Sequence, residues 1–430
     1  MSQLFNGQFM IKGLAIAVTT LMVGTAHAAK TEQQQIQELR QEVEALKSLI
    51  QQQQQVQQQQ QTQIAQVQQS KSAAPASALS SLKSKSGADV SIYGFVRGDA
   101  NYIIDGADSD FNSTHAVGNS KTASTKDKLV ATAKVTRLGL DFNTPVGDNK
   151  VGGKVEVDFA GTSDNLRIRH AYLTFNDWLF GQTTSSFASV HAPEMIDFST
   201  NIGGTGGSAR VPQVRYSQKL APATQLFVSA EEGNSKATQT GDLSYRLPVL
   251  TAKVTQGFAD GKGLASARAL VEHYKSDAAN DDKTGWGAAL GANYQVAEPL
   301  KVSADVAYMK GNSNHLYGSN TAYSVVGNSI EQNEAVAVQV GATYKFSPQL
   351  RSTLAYGALF ADDGTDYADD ARATASIDQN EKVQQAWINF IYSPVKPVDL
   401  GIEYINGERK TFAGEKFSDD RVGFMARYSF

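Results

Sequence analysis

From residue 90 to residue 430 the chain repeats one pattern, in which apolar and polar side chains exchange places at every residue within short segments. A period of two marks strands, whereas a helix would repeat its apolar positions at three or four. The last segment shows it most clearly: Val422, Phe424, Ala426, Tyr428 and Phe430 share one parity, and Arg421, Gly423, Met425, Arg427 and Ser429 the other. Such a strand has an aromatic-rich face and an arginine-bearing face. A free edge of that composition is poorly suited to water. In a barrel closed within lipid it has a natural place, with apolar side chains outward and arginines toward a wet lumen. A slip of one residue would turn Arg421 and Arg427 into the bilayer at about 2–4 kcal/mol each near its midplane, so the register is tightly specified.

The same unit recurs upstream as strand, short turn, strand and longer polar loop. Residues 90–104 place Ile92, Val96 and Ala100 opposite Arg97, Asp99 and Asn101. Residues 135–143 place Leu138, Leu140 and Phe142 opposite Arg137 and Asp141, and 151–159 alternate Val155, Val157 and Phe159 with Lys154, Glu156 and Asp158. The pattern predicts an all-β fold, a transmembrane antiparallel β-barrel of about sixteen strands over residues 89–430. Short Pro- and Gly-bearing turns alternate with long loops such as 311–333 and 362–380, which predicts periplasmic turns, external loops and both ends of the barrel on the periplasmic side.

The first 88 residues differ. Lys12, a mostly apolar run over 13–23 and Ala26-His27-Ala28 predict a secretory signal peptide over 1–28, cleaved after Ala28. Ile36, Val43, Ile50 and Ile64 then occupy heptad position a, and Leu39, Leu46 and Val67 position d, which predicts an α-helical coiled coil within 29–69, on the periplasmic side. Ile at a with Leu at d favours two strands, and Gln53, Gln57 and Gln60 loosen the second half. The Ser- and Ala-rich stretch 70–88, with Pro75, shows neither period and predicts a flexible linker.

Composition narrows the classes. The 430 residues carry a net charge of −4, no Cys and no apolar run long enough for a helical span. A mean hydropathy of −0.32 does not argue against a barrel, whose alternating strands average out. Absence of Cys removes disulfide and thiol chemistry. The histidines are scattered, and neither HExxH nor GxSxG occurs, so no enzyme, metal or cofactor is expected. Asp362-Asp363-Gly364-Thr365-Asp366 lacks the spacing of an EF-hand loop and reads as a solvated loop.

The charged parity carries the candidate chemistry. If the apolar faces meet lipid, then Arg97, Arg137, Lys154, Arg167, Arg169, Arg215 and Arg268 line the lumen beside Asp99, Asp141, Glu156, Asp158 and Asp305. An arginine fork grips carboxylate through two parallel hydrogen bonds, which suits anionic solutes, although pairing with acids on neighbouring strands would merely stiffen the wall. Arg97, Arg137, Arg167 and Arg169 come from successive strands, so their fields add. Segment 183–209 is too long for a plain turn and bears His191, Glu194 and Asp197. Folded inward, it would narrow the channel and oppose carboxylates to the arginines.

The heptad segment, the linker, VSIYGFVRGDANY at 90–102, RLGLDFNTPVG at 137–147, LRIRHAYLTF at 166–175 and LPVLTAKV at 247–254 together resemble the DcaP-like family of outer-membrane porins. The resemblance covers nearly the whole chain. It implies a homotrimer of sixteen-stranded barrels with a periplasmic coiled coil, taking up small anionic solutes, dicarboxylates in particular, past Arg97, Arg137, Arg167 and Arg169. Outer-membrane lipid and lipopolysaccharide are the expected surroundings. The barrel assembly machinery is the expected partner of the final strand ending at Phe430. The alternative function is structural: a barrel that anchors a coiled-coil tether between the outer membrane and periplasmic partners.

Overall fold

A computed structural model of the chain describes residues 82–85, 87–205 and 210–430. The signal peptide, its cleavage point at Ala28, the heptad segment and most of the 70–88 linker lie outside the described residues. Nineteen strand segments join in one sheet. One is the two-residue piece Leu82–Lys83, and two positions in the sheet are each shared by two segments, so sixteen antiparallel strands close the barrel.

In chain order these are β1 (Asp89–Ala107), β2 (Ser124–Thr132 and Arg137–Val146), β3 (Asn149–Asp158), β4 (Arg167–Phe175), β5 (Trp178–Thr184), β6 (Arg210–Ala221), β7 (Thr224–Glu231) and β8 (Leu243–Tyr245 and Val249–Phe258). The second half comprises β9 (Gly263–Ser276), β10 (Asp281–Ala297), β11 (Leu300–Lys310), β12 (Glu334–Lys345), β13 (Leu350–Ala361), β14 (Asn380–Val395), β15 (Val398–Thr411) and β16 (Lys416–Ser429). The ring closes between β1 and β16, with Phe95 opposite Ser429 and Ile103 opposite Arg421, and the amide of Phe430 donates to the carbonyl of Gly94 at 3.1 Å. Closure leaves no edge strand, so the wall's backbone donors are paired strand to strand, and at the break in β2 the hydroxyl of Thr136 accepts from the amide of Arg97 at 3.1 Å.

Side-chain parity divides outside from inside. On β16 Phe424 is 46% exposed while Arg421 is 0% exposed. The exposed apolar side chains Val96, Leu138, Leu173, Leu290, Leu354 and Ile402 cover the outer surface round the ring. Stacked or tilted aromatic pairs, Trp178–Tyr216, Phe258–Tyr294 and Trp286–Tyr308, stand on the same outer face, as an interfacial girdle requires. Among the described residues no helix is long and apolar enough to cross a membrane, a fact that does not bear on strands.

Short turns lie at the end of the barrel that also carries the start of β1 and the close of β16, and the long loops lie at the other end. Two of those loops carry structure of their own. Loop 311–333 contains a small hairpin, Tyr323–Val326 with Ser329–Gln332, and loop 362–379 contains α1 (Asp366–Ala373). Thr365, in the acidic stretch read above as a solvated loop, caps α1 by accepting from the amide of Ala368 at 3.2 Å.

One departure in the wall bears on the lumen. Strand β2 breaks over residues 133–136, where four residues stand opposite three of β1 between the pairs Asp99–Thr132 and Phe95–Arg137. The extra residue shifts the parity, as in a β-bulge. Val135 is buried and Lys134 is aimed at the inner cavity described below.

Candidate functional site

Residues 185–205, between β5 and β6, do not stand away from the barrel but run across its inner wall. Each step along this loop has a partner on a different strand. The Ser189 hydroxyl donates to Asp305 of β11 at 2.6 Å, and His191 bridges Ser266 of β9 at 2.8 Å and Asn293 of β10 at 3.0 Å. Glu194 takes a bidentate grip from Arg351 of β13, and its carbonyl accepts from Trp387 and Asn389 of β14. Glu403 of β15 accepts from the amides of Ile196 and Asp197, both at 2.9 Å, while Arg97 of β1 donates to the Ile196 carbonyl at 2.6 Å. The returning limb receives Gln339 of β12 at Asn201 and Ile202, and Arg268 of β9 at the Thr205 hydroxyl. Neither limb has a sheet ladder, so these wall side chains satisfy backbone groups that would otherwise be buried alone.

Close approach to the wall demands small residues. A Cβ on Gly357 would lie 1.9 Å from the carbonyl oxygen of Ile202, and Gly203 itself has φ +75 with its Cβ direction blocked by the carbonyl of Val338. Gly341 and Gly401 meet Pro193 and Ile196 in the same way.

The loop covers the wall formed by β9–β15 and leaves that of β2–β4 open. Between them lies a cavity of ≈ 570 Å³. Its wall side carries Lys134, Arg137, Arg167, Arg169 and Arg210, and its loop side Met195, Phe198, Ser199, Asn201 and Thr205. Arg167 grips Asp158 with two hydrogen bonds of 2.7 and 2.9 Å. Arg169 divides its fork between Glu156 and Asp158, both at 2.8 Å, and Arg137 stands 3.4 Å from Glu156 while stacked over Phe95. Three arginines therefore share two carboxylates and leave one positive charge over. Arg210 makes no ion pair among the described residues and adds a second, and its Nε is buried without a hydrogen-bond partner; that of Arg137 makes no hydrogen bond either, only the 3.4 Å ion pair with Glu156. Five cations and a single carboxylate, Asp158, line this cavity, and the fifth cation, Lys134, is paired with Asp110 at 2.5 Å behind the lining. Confinement between low-dielectric walls concentrates such a field.

The other residues singled out in the sequence lie elsewhere. Arg97 is 1% exposed, held by Asp99 at 2.6–3.0 Å, and sits behind the loop as one of its fasteners. Arg268 is likewise enclosed, bonded to Asp305 at 2.6 Å. Arg215 donates to the carbonyl of Thr184 and to Gln213, and Lys154 pairs with Asp141 at 3.2 Å over the ring of Tyr93. Glu194 and Asp197 do not oppose the arginines across open space: the first is clamped by Arg351, and the second is buried and accepts from the amides of Asn112 and Ser199. Burial pushes the Asp197 carboxyl up despite those bonds, and it pulls His191 down to about 4. Sequence reasoning missed Lys134, hidden by the bulge, and Arg210, which follows the glycine-rich stretch rather than a strand pattern. Among the described residues no group of acids and histidines is arranged to hold a metal.

The chain matches the family model of the DcaP outer membrane protein over residues 21–430. It is similar to the outer membrane channel DcaP of Acinetobacter baumannii, with 65% identity, coverage of 82% of this chain and 100% of that one, and a TM-score of 0.77. At the level of fold alone it is similar to OmpT of Vibrio cholerae (15% identity, 81% and 99% covered, TM-score 0.52) and to an anion-selective porin from Comamonas acidovorans (14% identity, 80% and 100% covered, TM-score 0.54). A comparison with curated proteins finds no match. With its closed sixteen-strand barrel, its inward loop and this match across nearly its whole length, the chain belongs to the DcaP family of outer-membrane channel proteins.

Proposed function

We propose that the barrel passes small anionic solutes by diffusion, dicarboxylates in particular, with the inward loop as the constriction and the β2–β4 wall as the selective surface. The observation that carries this reading is the excess of positive charge at the cavity: Lys134 is paired with Asp110, Arg137, Arg167 and Arg169 share Glu156 and Asp158, and with Arg210 two charges are left uncompensated. Arg137, Arg167, Arg169 and Arg210 replace hydration water round a carboxylate group as it passes, and a second carboxylate on the same solute meets the next fork along the wall. Because the forks of Arg137, Arg167 and Arg169 are already partly engaged by Glu156 or Asp158, a solute is held weakly enough to leave, as conduction requires. The channel works as a homotrimer in the outer membrane, set in lipid and lipopolysaccharide, and the final strand is the segment offered to the assembly machinery.

Planar-bilayer recording tests the sign of the selectivity. Across a tenfold KCl gradient an ideal anion pore reverses at about 59 mV of the chloride sign, and the unmodified channel is expected to lie on that side of zero. Arg167→Gln with Arg169→Gln changes the local sum of Arg137, Arg167, Arg169, Arg210, Glu156 and Asp158 from two positive charges to none, and the reversal potential should move toward the cation side. Reversal on the cation side in the unmodified channel would sink the proposal.

A further inference from the structure

A second cavity, of ≈ 660 Å³, lies among the long loops and is bordered by His115, Lys121, Lys236, Asn320 and Asp378. Two loops run from one cavity to the other. In the first, Phe111 lines the inner cavity and His115 the outer; in the second, Tyr317 lines the inner and Ser319 to Thr321 the outer. The cavities therefore adjoin, and the loops meet at their boundary. There the rings of His115 and Tyr317 pack edge to face with centroids 5.3 Å apart. The Tyr317 amide hangs from the constriction loop by a 3.1 Å bond to the carbonyl of Gly204, and Ile202 packs beneath Gly318. The carbonyl of His115 is held by Asn380 at 2.9 Å. Burial brings the imidazole down to about 4 and the phenol up to about 12, so both rings are uncharged at neutral pH. An uncharged aromatic contact thus stands between two chambers that both carry cations.

We propose that the His115–Tyr317 contact is the passage between two chambers in series, and that Tyr317 is a size-determining residue which an entering solute must displace. Its backbone is fixed and its ring reaches the edge of the inner cavity, so a rotation of the side chain opens the way without moving either loop. The inference rests on the channel reading but not on the sign of selectivity. Conductance and size limit test it, and reversal potential tests the other.

Single-channel conductance of the full chain in planar bilayers and liposome swelling with neutral sugars of rising size give the readout. Where two resistances of similar size lie in series, removing one raises conductance roughly twofold, and Tyr317→Ala is expected to show a rise of that order, admit larger sugars and leave the reversal potential in place. His115→Ala should act in the same direction, and Tyr317→Phe, which restores the ring, should return the original conductance. Because the chain has no Cys, Tyr317→Cys offers a clean site for a bulky thiosulfonate, which should lower the current. Unchanged conductance and size limit in both alanine variants, or full current after modification of the cysteine, would overturn the proposal.

Discussion

Replacement of Gly357 by Ala should narrow the channel, although this residue does not border the cavity. The new Cβ would sit 1.9 Å from the Ile202 oxygen and 2.9 Å from its carbon. A carbon and an oxygen come no closer than about 3.3 Å, so the loop must retreat by roughly 1.4 Å. It cannot do so sideways, because Gly203 is wedged against the carbonyls of Val338 and Ala358. The retreat breaks the 3.1 Å bonds from Gln339 to Asn201 and Ile202, each worth about 0.5–1.5 kcal/mol, and overpacking adds about 1–3 kcal/mol. Together these destabilise the seated loop by roughly 2–6 kcal/mol. The one direction open is toward the arginine wall, because Asn201 and Thr205 already border that space. Single-channel recording of Gly357→Ala should therefore show lower conductance and added current noise, with far-UV circular dichroism of the barrel unchanged. A conductance equal to that of the unmodified channel, or a larger one, would refute the claim that the loop is pressed against β12 and β13.

Two further outcomes separate the roles of buried groups. Arg97→Gln combined with Asp99→Asn removes a neutral pair behind the loop, so the reversal potential should stay in place while current noise rises; a shift as large as that of the Arg167 and Arg169 variants would show that Arg97 acts on solutes. His191 lies at about 4 when folded, lowered by burial and by Arg268, Lys253 and Lys301, against about 6.5 unfolded. The folded chain therefore resists its protonation, and the stability this neutral ring supports is whole above pH 6.5 and lost as pH falls toward 4. Melting temperature in detergent should drop across that window, and His191→Gln should flatten the profile; superimposable curves would rule out a contribution from His191.

Much of the wall could be read from its alternation, because facing is a local property. Val422, Phe424 and Tyr428 had to share a side whatever they packed against, and Leu138, Leu140, Val155 and Val157 followed the same rule. Legibility failed where the period broke. Ser124–Thr132 does not alternate, because Lys126, Asp127 and Lys128 stand in succession on an exposed part of β2. Lys134 was lost to the bulge beside it. The loop's pose depends on partners remote in the chain, such as Glu403 meeting Ile196 across 207 residues. Neither partner announces the other: a glutamate on the inner parity looks the same whether it fastens a loop or faces water.

The arginines show how far such a reading can be sharpened. Arg97 and Arg421 share a parity with Arg167 and Arg169, yet both are withdrawn from open space. Each has an aspartate two positions away on its own strand, Asp99 and Asp419, and in a strand that spacing puts acid and base on one face within reach. A salt bridge formed within one strand needs no partner from elsewhere, so the charge is cancelled where it stands and the pair can be enclosed. In the Arg167-Ile168-Arg169 stretch the same spacing joins two bases, and their carboxylates must come from β3. There the acids are outnumbered, Arg137 shares them, and the excess charge remains facing the cavity. Among these four arginines the sign of the residue two places along thus separates the fastening pair from the solute-facing pair, a local signal that the alternation alone passes over; Arg268, fastened through Asp305 of β11, carries no such signal.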